Sequence, residues 1–265
     1  CELGKVYCLP RTDREWLSMK HVVLYSGGAS SAYMAYLVLQ EQKKEEVVLL
    51  HTPTFTENHD ADTFRCRVAR RLGVPITEWG DGRDLDELLE DQKAIPGQFL
   101  PFCTVELKQK MKEEYFKYLK SQNQDFIEYV GFGLEEGKRV HNALNRAGQT
   151  GRTIRFPIYE KKIPDCEIKR MIEQEWKIPL PQTYKNGLNH NNCIPCYKAG
   201  KTSWRVYWEQ YPERYWKAAE YEERYGYTVF KDCSLTELAV WFEKDKEWED
   251  MQYHLKDYFP CEYWA

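Results

Sequence analysis

Two patterns of apolar positions alternate through the first half of the chain. Short apolar runs that favour β-structure lie at 21–25, 47–50, 74–79 and 126–130. Apolar residues at helical spacing fill 30–40, 63–72, 84–90 and 105–119. An alternation of strands and helices is typical of parallel βαβ units. The pattern therefore predicts an α/β fold with a parallel twisted sheet flanked by helices, of the Rossmann-like type.

The pattern changes near residue 161. Beyond this point the chain is mainly helical, with prolines and an asparagine-rich segment between the helices. The sequence thus predicts an α/β domain over 1–160 and a helical C-terminal extension over 161–265, which carries a Cys-x-x-Cys segment. Ligands of parallel sheets bind beyond the carboxyl ends of the strands, so we expect the site there.

Composition narrows the class of protein. A hydrophobic share of 42% and a charged share of 30% in 265 residues are typical of a globular protein. No apolar stretch approaches the roughly 20 residues of a membrane helix, so we expect no membrane association. Nine cysteines without a secretory signal indicate a reduced, cytoplasmic setting. The net charge of −4 argues against coating of nucleic acid but permits a local basic patch.

A turn between the first strand and the first helix has the residues of a phosphate-binding loop. Two glycines, Gly27 and Gly28, let backbone amides converge on an anion. The following helix adds its N-terminal dipole, and Ser26, Ser30 and Ser31 add hydroxyl groups. The Gly-Lys-Ser/Thr ending of a Walker loop is absent. An ordinary strand-to-helix turn is the alternative interpretation.

Segment 25–31 resembles the PP-loop of the adenine nucleotide α-hydrolase superfamily, whose usual form is Ser-Gly-Gly-x-Asp-Ser. Ser30 occupies the place of the aspartate. Four further segments are similar, in the expected order, to the phosphoadenosine phosphosulfate reductase-like branch of this superfamily. They are 50–59, 101–108, 131–139 and 191–201.

The resemblance implies which residues bind the nucleotide. The end of the second strand, with His51 and Glu57, is expected to hold the adenine. The turn that contains Gly131 and Glu136 is expected to border the ribose and the phosphates. Fixed cations stabilise charge on a transferred phosphoryl group. The catalytic partners of the phosphates that the resemblance implies are Lys108, Arg139 and Lys198.

Three cysteines form a candidate metal or redox site. Cys193 and Cys196 share one tight turn, and Cys103 belongs to a segment that the resemblance brings near the nucleotide. Thiolates at this spacing hold an iron–sulfur cluster or zinc, or form a disulfide. For zinc, Cys261 is a loose candidate for the fourth ligand. A redox dithiol and plain buried thiols stay open as well.

The resemblance implies an ATP pyrophosphatase that binds MgATP, adenylates an acceptor and releases pyrophosphate. Sulfur transfer to nucleic acid is one use of such activation, and an iron–sulfur cluster could deliver the sulfur. The expected partners are an adenine nucleotide and a nucleic-acid or protein acceptor, and a homodimer is allowed. One alternative is a thiol-dependent sulfonucleotide reductase with Cys261 as nucleophile. The other is a non-catalytic nucleotide-binding accessory protein.

Overall fold

A computed structural model describes residues 19–97, 100–191 and 193–244. It contains a parallel sheet of five strands in the spatial order β3-β2-β1-β4-β5. The strands are β1 (Lys20–Leu24), β2 (Val47–His51), β3 (Ile76–Glu78), β4 (Phe126–Tyr129) and β5 (Ile154–Arg155). The sheet is flanked by helices, and the predicted α/β class is confirmed.

Helices cover both faces of the sheet and make up most of the described chain beyond residue 160. They are α1 (Ala29–Glu41), α2 (His59–Leu72), α3 (Leu85–Gln92), α4 (Phe102–Thr104), α5 (Met111–Ser121), α6 (Gly137–Thr150), α7 (Pro157–Glu160), α8 (Asp165–Arg170), α9 (Gln182–Lys185), α10 (Lys201–Gln210), α11 (Pro212–Tyr225) and α12 (Leu235–Lys244). Short 3₁₀ turns are Lys44–Glu46 and Leu134–Glu136, and π-helical turns are Val105–Lys110 and Met171–Glu175.

Local capping explains where α2 begins and ends. The helix starts four residues before the predicted 63–72 because the Asn58 side chain accepts a hydrogen bond from the His59 N–H at 3.0 Å. It ends as predicted at Gly73, whose φ of 70° is left-handed. The predicted helix 105–119 is instead a π-helical turn that continues into α5. The two-residue strand β5 was not predicted.

The central strand β1 lies between β2 and β4, and its apolar side chains are buried on both faces. Val22 packs with α5, whereas Val23 belongs to a core formed with α1 and α2. This second core also takes in side chains beyond residue 160, including Ile168 and Trp176. A further core joins α3 to α10, α11 and α12. The proposed division at residue 160 stays a prediction.

A buried ion network supports β4 from one face. The carboxylate of Glu128 accepts hydrogen bonds from Lys112 Nζ at 2.7 Å and from Arg152 Nη1 at 3.4 Å. Arg152 also donates to Glu113 at 2.6 Å. A carboxylate buried in this way is stable only with its cations in place. Among the described residues, no helix is long and apolar enough to cross a membrane.

Candidate functional site

The glycine turn lies where the strand order of the sheet reverses. The chain goes from β1 towards β2 and β3 on one side, and β4 and β5 lie on the other. Such a switch point leaves a crevice at the carboxyl ends of the two central strands. The turn after β1 and the turn after β4 meet there, because a Cβ on Gly131 would lie 3.4 Å from the carbonyl of Ser30.

The two glycines of the turn have different backbone conformations. Gly27 has a φ of 86°, which an L-residue rarely adopts. Gly28 is extended, with φ −86° and ψ 163°, and precedes α1 as its N-cap. The N-cap glycine has no side chain to cap this helix, and no acidic residue lies in its first turn. The positive end of the helix dipole is therefore not neutralised by its own residues.

Two of the predicted serines brace the turn. Ser31 Oγ donates to the carbonyl of Gly28 at 2.9 Å, and Ser26 Oγ donates to Ser31 Oγ at 3.3 Å. These hydroxyl groups hold the shape of the loop. Ser30 lies next to the turn of β4 through its carbonyl.

The C-terminal part of the chain closes over the turn. The Ala29 N–H donates to Tyr184 Oη at 3.0 Å, and Asn191 Nδ2 donates to the carbonyl of Gly27 at 2.9 Å. Thr183 Oγ1 holds Asn191 by donating to its Oδ1 at 3.0 Å. Burial raises the pKa of Tyr184 to about 12, so its hydroxyl stays protonated at neutral pH. Tyr184 thus occupies one of the amides that a bound anion would use.

Glu136 and Arg139 shape the turn after β4. Glu136 Oε2 accepts from the Gly133 N–H at 2.8 Å, and Arg139 forms an ion pair with the same carboxylate. The Arg139 guanidinium lies 4.2 Å from the centre of the Phe132 ring. Its side chain is 64% exposed. The structure therefore places this cation on the rim, in the segment that follows Gly131.

His51 is buried at the end of β2. Its Nδ1 lies 3.1 Å from the carbonyl of Tyr25, and a carbonyl only accepts, so Nδ1 carries the proton. Nε2 is then a lone-pair acceptor, and no described residue partners it. Burial, together with the positive charge of Arg65, lowers the pKa of His51 to about 4. His51 is neutral at pH 7.

Glu57 joins the loop after β2 to the segment of the paired cysteines. Thr54 Oγ1 donates to Glu57 Oε1 at 2.7 Å. Cys193 Sγ lies 3.0 Å from the same hydroxyl, so the thiol donates to Thr54. Glu57 and Cys193 also form an isolated antiparallel bridge, and the Ile194 N–H donates to the carbonyl of Thr56 at 2.9 Å.

Lys108 lies among the predicted cysteines, and its charge also reaches His51. Cys193 raises the pKa of Lys108 against the effect of burial, and Glu57, Cys196 and Cys103 raise it further. Burial raises the pKa of the Cys193 thiol, which is therefore neutral at pH 7. Burial opposes ionisation of Glu57, but the charge of Lys108 lowers the pKa of this carboxylate. Glu57 is therefore the group that carries a negative charge beside Lys108 at neutral pH.

The thiols share this electrostatic neighbourhood with Lys198. Burial raises the pKa of Cys103, with Cys196 adding to the effect and the charge of Lys198 opposing it. Over residues 19–97, 100–191 and 193–244, no group of three or more Cys, His, Asp or Glu side chains is arranged to hold a metal ion. Metal binding by Cys103, Cys193 and Cys196 stays a prediction. Cys261 lies outside the described residues.

A cleft of about 560 Å³ opens beyond the ends of β2 and β3. Phe55, Glu57, Tyr211 and Arg214 are among the residues that line it, together with Arg65 from α2. The Arg65 side chain packs against the glycine turn, because a Cβ on Gly27 would lie 2.6 Å from Arg65 Cγ. One arginine therefore contacts the turn and lines the cleft.

Sequence reasoning missed Arg65 and Tyr184. Arg65 occupies an ordinary position of an amphipathic helix, and Tyr184 contacts a residue 155 positions away. Neither residue lies in a sequence motif that would indicate a contact with the glycine turn. No protein-family model matches the chain, and a search of curated proteins finds no significant match. The fold and the site define an α/β protein with a glycine turn and a helix N-terminus without acidic residues at the switch point of a parallel sheet.

Proposed function

We propose that this protein binds ATP at the turn that runs from Ser26 to Ser31, adenylates an acceptor and releases pyrophosphate. The observation that carries the proposal is the meeting of two glycine turns at the switch point. There, the N-terminus of α1 faces the segment of Gly131 without an acidic residue in its first turn, and the neutral Tyr184 hydroxyl accepts from the Ala29 amide. Backbone amides and a helix dipole in this arrangement favour phosphate.

The cleft supports a nucleotide rather than an isolated anion. Its volume of about 560 Å³ falls in the range of small-molecule sites, roughly 300–1,000 Å³. Arg65 connects it to the turn, Glu57 lines it, and the buried His51 ends the strand β2 that precedes it. In the proposal, the adenosine occupies the cleft and the phosphates lie on the glycine turn.

The proposed reaction forms a bond between an acceptor oxygen and the α-phosphorus of ATP and breaks the bond from that phosphorus to the pyrophosphate oxygen. The amides around Gly27 and Gly28 stabilise the charge that develops on the phosphoryl oxygens. Arg139, in the first turn of α6, is the cation that the proposal adds to these amides. Mg²⁺ bound to ATP neutralises phosphate charge. Towards that ion the chain offers the hydroxyl of Ser30 instead of a carboxylate.

The acceptor belongs to the proposal as well. Lys108 and Lys198 lie with the three cysteines, at the segment that bridges to Glu57. This placement supports a role for these lysines and thiols on the acceptor side, where a sulfide-level sulfur nucleophile would form a bond to the activated carbon of the adenylated nucleic acid or protein and displace AMP.

Labelled ATP and one matched pair of variants test the nucleotide assignment. Gly28→Val keeps a backbone that valine adopts, but its Cβ would lie 3.3 Å from Tyr184 Oη and obstruct the amides. Gly200→Val is the control, because Gly200 is also an extended N-cap glycine and a Cβ there meets nothing within 4 Å.

We expect the wild type and Gly200→Val to bind ATP and to form AMP and pyrophosphate with an acceptor-containing extract. Gly28→Val should lose ATP binding at an unchanged melting temperature. Equal ATP affinity in both variants would contradict the assignment of the turn.

Two observations favour a non-catalytic nucleotide-binding protein as the second candidate. Tyr184 already occupies the Ala29 amide, and Ser30 stands where related loops carry an aspartate. Tight ATP binding without any AMP or pyrophosphate would support this candidate. The reductase alternative rests on Cys261, and sulfite release from phosphoadenosine phosphosulfate that disappears in Cys261→Ser would support it.

A further inference from the structure

Arg65 is a buried cation with an unused hydrogen-bond donor. The residue is 4% exposed. Its Nη2 forms an ion pair with Asp62, whereas no described residue accepts a hydrogen bond from Nη1, which is buried. A guanidinium stays charged at any physiological pH. Burying one of its donors without an acceptor is unfavourable, so the arrangement needs an explanation beyond folding.

Asp62 does not neutralise this charge towards the interior. Its side chain is 66% exposed, and ion pairs that face solvent contribute little. The field of Arg65 reaches the neighbouring buried His51, whose pKa it lowers in addition to the effect of burial. Another acid that lines the cleft, Glu57, is engaged by Thr54 and Lys108. Asp62 and Glu78 also line the cleft, but Nη1 of Arg65 is a donor that neither of them engages, so this donor is left to a ligand.

The position of the guanidinium connects two parts of the site. An ideal Cβ on Gly27 would lie 2.6 Å from Arg65 Cγ, 2.8 Å from Cδ and 3.1 Å from Nη1. The unpartnered nitrogen therefore lies against the glycine turn, while the same side chain lines the 560 Å³ cleft. Because Nη1 itself is buried, an anion from the cleft reaches this donor only when the Arg65 head group turns towards it, and the anion then accepts from Nη1 and from the amides of the turn together.

We infer that Arg65 and the turn at Gly27 form an anion subsite for a phosphate group of the ligand that occupies the cleft. Inorganic pyrophosphate and the polyphosphate of a nucleotide share the required chemistry, which is a doubly charged group with several acceptor oxygens. For the nucleotide, this inference rests on the proposed function. Binding of inorganic pyrophosphate tests it separately.

The test uses Arg65→Met, with Arg67→Met as its control. Methionine keeps an unbranched apolar chain against Gly27 and removes the charge. Arg67 lies two positions further along α2 and is exposed, so its replacement changes net charge equally without touching the turn. Calorimetric titrations at low salt measure the dissociation constants of sodium pyrophosphate, ATP and adenosine.

Arg65→Met is expected to weaken pyrophosphate and ATP about 10- to 100-fold, the range of one charge-assisted hydrogen bond in a desolvated site. Adenosine affinity and the melting temperature should stay unchanged, since Nη1 makes no bond in the folded protein and the ion pair of Nη2 is with the solvent-exposed Asp62. Arg67→Met should leave all three affinities within twofold. A purely structural Arg65 would instead lower the melting temperature and spare pyrophosphate binding.

Pyrophosphate affinity in Arg65→Met within twofold of the wild type would overturn the inference, as would a wild type that does not bind pyrophosphate. If Arg65→Met does not fold, Arg65→Lys carries the test: weaker pyrophosphate binding at an unchanged melting temperature supports the subsite, and unchanged binding contradicts it. If the protein binds pyrophosphate through Arg65 but does not bind ATP, the anion subsite is supported and the proposed nucleotide function is contradicted. If the wild type and Arg65→Met bind ATP equally well, the nucleotide function is supported and the anion subsite is contradicted.

Discussion

Replacement of Gly27 by alanine adds a single methyl group at the most constrained point of the turn. The φ of 86° is left-handed, and this region costs an L-residue about 1–2 kcal/mol. The new carbon would also lie 2.6 Å from Arg65 Cγ and 2.8 Å from Cδ, well inside the usual carbon contact distance of about 3.5–4.0 Å. Overpacking of a buried side chain costs about 1–3 kcal/mol.

These terms together predict that Gly27→Ala lowers the free energy of unfolding by about 2–5 kcal/mol. Gly28→Ala is the matched control. Gly28 has a φ of −86°, and the atoms that a Cβ would meet within 4 Å are Tyr184 Oη at 3.3 Å and Ser26 Oγ at 3.8 Å. Its cost should stay below about 1 kcal/mol, within the range of mild substitutions.

Arg65→Ala separates the two contributions. It removes all three atoms that a methyl group on Gly27 would approach. Gly27→Ala should then cost only the backbone strain of about 1–2 kcal/mol, so the coupling energy between the two substitutions should be about 1–3 kcal/mol. Urea unfolding followed by the fluorescence of the nine tryptophans measures each variant. The reasoning fails if Gly27→Ala is no more destabilising than Gly28→Ala.

Three further predictions concern buried polar groups. Tyr184→Phe removes the hydroxyl that competes for the Ala29 amide, so pyrophosphate should bind about 3- to 10-fold more tightly in a calorimetric titration. The lost hydrogen bond should lower the free energy of unfolding by about 1 kcal/mol in a urea titration. His51 has a pKa of about 4 when folded and about 6.5 when unfolded, so stability should fall by about 2 kcal/mol from pH 7 to pH 5, measured by urea unfolding at each pH. Glu128→Ala should cost about 1–3 kcal/mol in the same urea assay, because Lys112 and Arg152 lose their most buried acceptor and keep only Glu113.

Each of these predictions has an outcome that contradicts it. Unchanged pyrophosphate affinity in Tyr184→Phe would show that the hydroxyl does not compete with an anion. His51 of the wild type binds a proton near pH 6.5 in the unfolded state but only near pH 4 in the folded state. His51→Gln should therefore reduce the loss of stability between pH 7 and pH 5. An equal loss of stability in that variant would show that other groups cause the pH dependence. A cost below about 1 kcal/mol for Glu128→Ala would mean that the network is not desolvated.

Local patterns determined much of this fold. Apolar runs and helical spacing located β1, β2, α1 and β4 to within one or two residues, because burial on a sheet or a helix face imposes a short repeat on the chain. Gly73 marked the end of α2 for an equally local reason, its left-handed backbone. The strand β5 escaped notice, since two residues are too few for any repeat.

The tertiary structure alone decided how these parts meet. The sequence indicated a glycine turn, but packing placed Arg65 beneath it and Tyr184 on its amide, from positions with no local sign of such contacts. Lys108 and the cysteines likewise gather around Glu57 through contacts between distant segments. A periodic pattern records only whether a residue is buried. Which side chain it is buried against depends on how whole segments pack, and the candidate anion subsite exists only at that level.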